Sequence, residues 1–486
     1  MASKKGKNDT FRYLNSYIPQ AAKRYATVKT TWGGLNKLNQ IDSGELTDAK
    51  NISISMLPTI VPANKPEVFK SGYTNPISMF GFKDFLLVIY RDSDQIKVDY
   101  IKGSNTYTGV IKSSGATSAD DYERSVVQFN VYTDPDEILD GTFQKKILIF
   151  PDKLSMDYDQ SANFNLSSLD APGNPLPNIK KATVHLSRLF GIDDDRVYAS
   201  GFNDYTMWDL DTADESLASN AWVSTTKSNT KAGGDHVAIT TYDGRVIIFK
   251  RDFMQMVTNN KNPFRIVDIT NIGTIGQRTV HEVAGVLYFC SQDAVYAYTG
   301  AYPVKISDKL GISNFENAVC GSYNGEYYVH LNSKIYVYNA QTRAWGVIDL
   351  GETVIAFAEY SGNFYALTTT GKIYKLSTNT KSDSWHFTTD LLAGRQIELK
   401  RLHKMSVYVK MAADSNIKAY LYKLDGTSTK ILDYTADKNY DKVLNVMLRM
   451  TTSHAHKIKF EGSGDVTVYY MELKHSYDGE QFTGDL

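Results

Sequence analysis

Four hairpins led by glycine recur along this chain at nearly equal steps. Gly285-Val-Leu-Tyr-Phe289 leads through Gln292-Asp293 into Ala294-Val-Tyr-Ala-Tyr298. Gly325-Glu-Tyr-Tyr-Val329 leads through Asn332-Ser333 into Lys334-Ile-Tyr-Val-Tyr338, and Gly362-Asn-Phe-Tyr-Ala366 leads through Thr369-Thr370-Gly371 into Lys372-Ile-Tyr-Lys-Leu376. An earlier copy runs from Asp243-Gly244 through Arg245-Val-Ile-Ile-Phe249 to Asp252-Phe-Met-Gln-Met-Val257. The glycines stand at 244, 285, 325 and 362, so the steps are 41, 40 and 37 residues. Each copy has a glycine turn, an aromatic and β-branched strand, a short polar turn and a second alternating strand. One hairpin cannot bury its own face, so it must stack on its copies. A period near 40 with room for two weaker strands per unit is that of a β-propeller blade. Helical solenoids share the period but need apolar stripes at i, i+3 and i+4, which these segments lack.

Weaker units precede these four. They are Phe82–Tyr90 with Gln95–Ile101, Val126–Tyr132 with Lys146–Phe150 and Lys153–Met156, and Ala182–His185 with Arg188–Phe190 and Arg196–Ser200. Seven candidate units between about 77 and 377 predict six or seven blades. The stretch 150–235, with Pro175, Pro177 and small polar residues from Ser216 to Gly234, is expected to form long rim loops. Beyond 386 the pattern changes to shorter-spaced strands at 402–409, 417–422, 443–448, 457–460 and 466–471, which suggest a small sandwich. The expectation is all-β: a propeller over 31–385, with 31–75 as a lead-in, and a smaller C-terminal β-sandwich-like domain over 386–486. Residues 1–30 carry seven basic residues and one acid and are expected to form a basic arm, either solvated or docked on a neighbour or nucleic acid.

Composition narrows the function classes. Lys+Arg 53 against Asp+Glu 54 leaves a formal charge of −1, so no global charge draws the chain to nucleic acid or anionic membrane. At 12% aromatic the chain buries a core. The longest strongly apolar run, Phe85–Tyr90, is strand-sized, far short of the roughly 18 residues of a membrane helix. Met1–Lys7 is basic with no apolar stretch behind it, unlike a secretory signal.

The sequence offers no catalytic, cofactor-binding or metal residue. Phosphate-loop, dinucleotide, H-E-x-x-H and G-x-S-x-G signatures are missing from the sequence. His454-x-His456 offers two ligands on one strand face but no third nearby, so an exposed strand is expected instead of a metal site. Asp193-Asp194-Asp195 lacks the spaced ligands and glycine of a calcium loop and reads as a solvated turn. Asp99, Asp243, Asp293 and Asp349 are scattered at or near turns and do not form a glycosidase set. Cys290 and Cys320 read as core fillers in place of nucleophiles.

Three segments in order resemble a known family. Trp32-Gly-Gly-Leu-Asn36 followed by Ile41-Asp-Ser-Gly-Glu-Leu46 and Ala49-Lys-Asn-Ile52 resembles the opening of tailed-bacteriophage tail and neck proteins. Leu186-Ser-Arg-Leu-Phe190, Arg196-Val-Tyr-Ala-Ser200 and Trp208 resemble one of their blades. Gly273-Thr-Ile-Gly276 with Val286–Gly300 and Ile306-Ser307 resembles another. The resemblance covers about 31–310 and implies a virion subunit similar to packaged-DNA stabilisation (head-closure) and tail nozzle proteins. Such a protein is made in the bacterial host cytoplasm and is not an enzyme. It forms a ring, usually a hexamer, below the portal and adaptor, and genomic DNA passes through the lumen without sequence-specific binding. A carbohydrate-binding or glycan-cleaving propeller is the alternative, and it requires clustered acids and exposed aromatics on the central face.

Overall fold

The computed structural model describes residues 26–38, 44–132, 143–161, 164–170, 175–208, 220–224, 234–392 and 399–478. Residues 1–25 of the basic arm lie outside them. The chain divides into two units: Pro66–Arg343 with Asp349–Thr378, and Met1–Lys65 with Ala344–Ile348 and Asn379–Leu486.

The first unit is a propeller of seven antiparallel blades. In blade 1 the strands are Pro76–Gly81, Leu86–Asp92, Gln95–Lys102 and Asn105–Lys112. Blade 2 has Ser125–Val131, Gln144–Phe150, Leu154–Asp157 and Ser167–Ser168, and blade 3 has Lys181–His185, Arg188–Ile192, Val197–Ala199 and Trp222–Val223. Blade 4 runs through His236–Tyr242, Arg245–Lys250, Met254–Thr258 and Arg265–Thr270, blade 5 through His281–Val283, Val286–Cys290, Val295–Tyr298 and Val304–Lys305. This unit supplies Val319–Tyr323, Glu326–Leu331 and Lys334–Asn339 to blade 6. Blade 7 takes Val354–Tyr360, Asn363–Thr368 and Ile373–Lys375, and its fourth strand is Glu67–Lys70 from the start of the unit. The pairing Ile373↔Lys70, Tyr374↔Val68, Lys375↔Glu67 fastens the first strand to the last blade.

Apolar contacts run around the whole circle. Met79 and Val88 of blade 1 share a core with Tyr365 and Leu367 of blade 7. Phe85 and Leu87 pack with Ile147 and Met156 of blade 2. Phe129 and Leu148 pack with Leu189 of blade 3, Phe190 with Ile248 of blade 4, and Phe249 with Leu287 and Phe289 of blade 5. Tyr288 stacks on Tyr327 of blade 6 at 5.3 Å, and Tyr328 meets Phe364 of blade 7 at 4.6 Å. Burying each such side chain contributes roughly 1.5–3 kcal/mol.

The repeating glycines have a conformational reason. Gly244, Gly285, Gly325 and Gly362 have φ of +66°, +76°, +78° and +68°, and Asp243, Ala284, Asn324 and Ser361 before them are also positive. Two positive φ values in a two-residue hairpin make the turn whose twist matches the strands. The repeated hairpin is the second and third strand of each blade, and the innermost strand precedes its glycine. Middle strands are buried on both faces and so carry the strongest apolar signal.

Two boundaries differ from the sequence reading. The described residues of 150–235 are mostly blade instead of rim loop: they hold the outer strands of blade 2 and the four strands of blade 3, where the strands expected at 153–156 and 182–200 are joined by the short Ser167–Ser168 and Trp222–Val223. Residues 31–65 belong with the C-terminal strands, not with the propeller. Trp32, 3% exposed, meets Phe387 and Phe460 edge-on at 5.2 and 6.1 Å. A Cβ on Gly34 would stand 2.7 Å from that of Ala344, so only glycine passes there.

The second unit is β-sandwich-like. One sheet runs in the order Ala26–Thr30, Val466–Asp478, Leu399–Met411, Tyr440–Ser453; the other runs Leu46–Lys50, Trp385–Thr389, His456–Ser463, Asn416–Lys423, Ser428–Thr435. Each buries alternate residues, such as Met405, Val407 and Val409 on the first and Ile417, Ala419 and Leu421 on the second. Five C-terminal strands are where the sequence places them; Ser428–Thr435, Trp385–Thr389 and the N-terminal contributions are additions.

Candidate functional site

The propeller's innermost strands surround a cavity of about 300 Å³, lined by residues of all seven blades, among them Ser78, Val126, Thr183, Thr240, Cys320 and Ala356. A duplex whose major groove alone is about 12 Å wide does not fit.

Charge enters this cavity at one place. Glu123, which precedes the inner strand of blade 2, is the single carboxylate among its described lining residues. Its carboxylate lies 3.1 Å from Lys181 Nζ and 3.8 Å from Arg278 Nε. Lys181 also donates to the Glu123 carbonyl at 2.9 Å. Burial lowers the Lys181 pKa, and Glu123 partly restores it. The neighbouring Arg124, 1% exposed, grips Asp152 with both arms at 2.7 and 3.2 Å. Tyr122 donates to the same carboxylate at 3.0 Å, and burial, with Asp152 adding, pushes its pKa up to about 12. The cations at this mouth are therefore largely answered by acids of the same chain.

Gln277 closes the ring where blades 4 and 5 meet. Its side-chain Oε1 accepts from Ile239 N–H at 2.9 Å and its Nε2 donates to Ile239 C=O at 3.0 Å, as a strand residue would. Neither this glutamine nor the Glu123 cluster carries a motif, because their partners lie 38 to 155 residues away in the sequence.

Of the residues weighed in the sequence, most serve turns or blade cores. Asp99 is buried and accepts from Thr108 at 2.7 Å, Tyr73 at 3.2 Å and Tyr90 at 3.3 Å, with Lys70 of the closing strand at 3.9 Å. Both tyrosines are raised, mainly by burial and then by Asp99. Asp193 caps its turn, accepting from Asp195 N–H at 2.7 Å and Tyr198 Oη at 2.7 Å, while Asp194 pairs with Lys180 at 2.6 Å. Asp243 sits in a hairpin turn, Asp293 accepts from Tyr296 at 3.1 Å, and Asp349 accepts from Gly351 N–H at 3.1 Å. These carboxylates are not brought together.

His454-x-His456 departs from its expected exposed strand. The pair straddles a turn: His454 is exposed, and His456 opens the next strand fully buried. Neither ring nitrogen of His456 hydrogen-bonds to a described residue. Among the described residues no group of three or more His, Cys, Asp or Glu is placed to hold a metal. Cys290 and Cys320 are both buried, and the structure brings their sulfurs to 3.4 Å across the seam between blades 5 and 6. Burial pushes the Cys320 thiol well up, which disfavours a nucleophilic thiolate.

The family-like segments hold structural positions. Arg188, 2% exposed, donates to Ser200 C=O at 2.5 Å and Asn220 C=O at 2.8 Å inside blade 3. Ser200 Oγ accepts from Leu189 N–H at 3.0 Å. Thr274 is buried and donates to Cys290 C=O at 2.8 Å.

No family model matches the chain, and no curated protein matches it. Among solved structures it is similar to the extracellular domain of a putative hybrid two-component system from Bacteroides thetaiotaomicron, at 10% identity and TM-score 0.43, over 78% of this chain and 47% of that one. The chain thus spans about half the length of that protein. The WD40 domain of Toxoplasma gondii coronin is similar at 10% identity and TM-score 0.39, over 68% and 87% of the two chains. BamB of Moraxella catarrhalis is similar at 11% identity and TM-score 0.36, over 72% and 97%. No described helix is long and apolar enough to cross a membrane.

Proposed function

We propose that this protein is a structural subunit of a tailed-bacteriophage tail or neck, assembling into a ring, a hexamer by resemblance, whose lumen conducts the packaged genome. The observation that carries the reading is the order of the three family-like segments along one chain, Trp32–Ile52, Leu186–Trp208 and Gly273–Ser307. The cavity of about 300 Å³ supports a further step: the DNA path lies between subunits, because one propeller cannot admit it. A conduit must not grip phosphates, since each contact adds salt-dependent affinity. The near-neutral chain and the acid-answered cations at Glu123 and Asp152 suit that demand. The place of action is the virion, between the portal or adaptor and the rest of the tail, after synthesis in the bacterial cytoplasm. No catalytic role is part of the reading. A glycan-acting propeller needs clustered acids on its central face, whereas the cavity's single described carboxylate is held by Lys181 and Arg278.

Negative-stain microscopy of the purified chain tests the proposal. Rings with an open lumen wide enough for duplex DNA are expected. A dispersed monomer that cleaves polysaccharide overturns it.

A further inference from the structure

The chain holds two cysteines, and folding brings them together. Cys290 ends the second strand of blade 5, and Cys320 stands in the innermost strand of blade 6. Each is fixed in a strand ladder, Cys290 opposite Val295 and Cys320 opposite Val329. Both are free thiols, and their sulfurs lie 3.4 Å apart across the seam between the blades. A disulfide is about 2.05 Å long, so bonding asks the pair to close roughly 1.4 Å. The other polar neighbour of Cys290 Sγ is Tyr327 Oη at 3.6 Å, and that hydroxyl already donates to Thr279 C=O at 2.6 Å. The two sulfurs differ in access. Cys290 is fully buried, whereas Cys320 lines the central cavity, where a molecule the size of hydrogen peroxide fits.

We propose that Cys290 and Cys320 form an oxidation site, in which a small peroxide entering the central cavity joins them into a disulfide across the seam between blades 5 and 6. Nothing in this pairing depends on the ring reading. In the first step the Cys320 sulfur attacks one peroxide oxygen: the S–O bond forms, the O–O bond breaks, and the departing oxygen takes the thiol proton and leaves as water. In the second the Cys290 sulfur attacks Cys320 Sγ: the S–S bond forms, the S–O bond breaks, and the hydroxyl leaves as a second water with the Cys290 proton. Two thiols lose two electrons, and the peroxide gains them. Burial holds the Cys320 thiol above its ordinary pKa, so thiolate is scarce and the first step is slow. The site therefore answers to lasting oxidant and not to a brief pulse. A chain kept in a reducing cytoplasm retains both thiols. The bond closes a loop over a separation of 30 residues, which contains the outer strands Val295–Tyr298 and Val304–Lys305 of blade 5. These two strands meet only at Tyr296↔Lys305 and Ala297↔Val304, so the cross-link restrains a thinly paired edge and stabilises the fold by limiting the unfolded chain.

The test exposes the full chain, purified under reductant, to hydrogen peroxide, then unfolds it and counts thiols by alkylation with N-ethylmaleimide and peptide mapping. Cys320→Ala and Cys290→Ala chains treated alike share any oxidation of methionine, so a difference from them belongs to the cysteine pair. Wild type is expected to lose both thiols together and to yield one linked peptide pair joining Cys290 to Cys320. It should melt roughly 5 °C higher, and reductant should restore both the thiols and the lower melting point. Cys320→Ala should keep its Cys290 thiol, and Cys290→Ala should form a sulfenic acid at Cys320 that dimedone traps; neither should gain melting temperature. Two thiols still open to alkylation after treatment of wild type overturn the proposal, as do a sulfinic acid at Cys320 beside a free Cys290 and a disulfide linking separate chains. A linked pair that leaves the melting point unchanged or lower overturns the stabilising role, and Cys290→Ala without a dimedone adduct overturns the assigned order of attack.

Discussion

Acid should loosen this protein through two buried histidines, one in each unit. His330 in blade 6 is 3% exposed and accepts the Val354 N–H at 3.3 Å through Nε2, an arrangement that requires a bare nitrogen. Burial lowers its pKa to about 4. His456 in the sandwich is fully buried, and burial, then the charges of Lys400 and Lys423 and the neighbouring His475, lowers it to about 4 as well. An unfolded histidine titrates near 6.5. Between the two values the unfolded chain binds the proton and the folded chain does not, so stability is full above about pH 6.5 and falls as pH drops toward 4. At 1.36 kcal/mol per pH unit the loss is ~3 kcal/mol per histidine. Asp390 works against this trend, because burial raises its carboxyl to about 6. His185, His236, His281 and His475 are lowered by the same burial and add to the slope. The informative quantity is therefore the difference between variants. Urea unfolding of wild type, His330→Gln and His456→Gln should be followed from pH 7.5 to 4.5. Each variant starts less stable and should show a shallower decline with acid, by roughly one proton. Parallel pH profiles for all three proteins would refute the reasoning.

Other outcomes follow from single contacts. Arg188→Ala leaves two buried carbonyls unanswered in blade 3 and should cost about 3 kcal/mol in chemical denaturation, at ~1.5 kcal/mol or more per hydrogen bond to a charged donor. Lysine cannot serve both acceptors in the same plane, so Arg188→Lys should recover less than half of that loss. Gln277→Ala removes the link between blades 4 and 5 and should cost about 2 kcal/mol while raising amide exchange at Ile239. Gly325→Ala has φ +78° but open space around its Cβ, so it should cost only ~1 kcal/mol and leave assembly intact.

The repeat at 244, 285, 325 and 362 was legible because each hairpin combines a left-handed turn with strands buried on both faces. Those of blades 2 and 3 aside, the innermost strands were not, since they line the central cavity and mix polar residues such as Ser78 and Thr240 with apolar neighbours. Three strands of blade 3 were legible at 182–200 although the stretch around them was read as rim loops, and its fourth strand was missed because Trp222–Val223 spans only two residues. Residues 31–65 of the lead-in were assigned to the wrong unit for a topological reason, whereas 66–75 lie in the propeller as read. Leu46 of the lead-in pairs with Thr389, as Ala26 at the end of the expected basic arm pairs with His475, and no local pattern announces a partner more than 300 residues away. Sequence separation, though shorter, also hid the cavity's charges and the sulfur pair: Glu123 meets Lys181 and Arg278, and Cys290 meets Cys320, only once the blades stack. His456 was misplaced because the turn at His454 breaks the strand that alternation alone would have carried through.

Ring assembly is the claim on which the functional account stands, and the native mass of the intact chain at near-neutral pH measures it most directly. The account predicts one dominant closed species at a whole-number multiple of 54.5 kDa, about 327 kDa for six copies. A concentration-independent mass of one chain would contradict it.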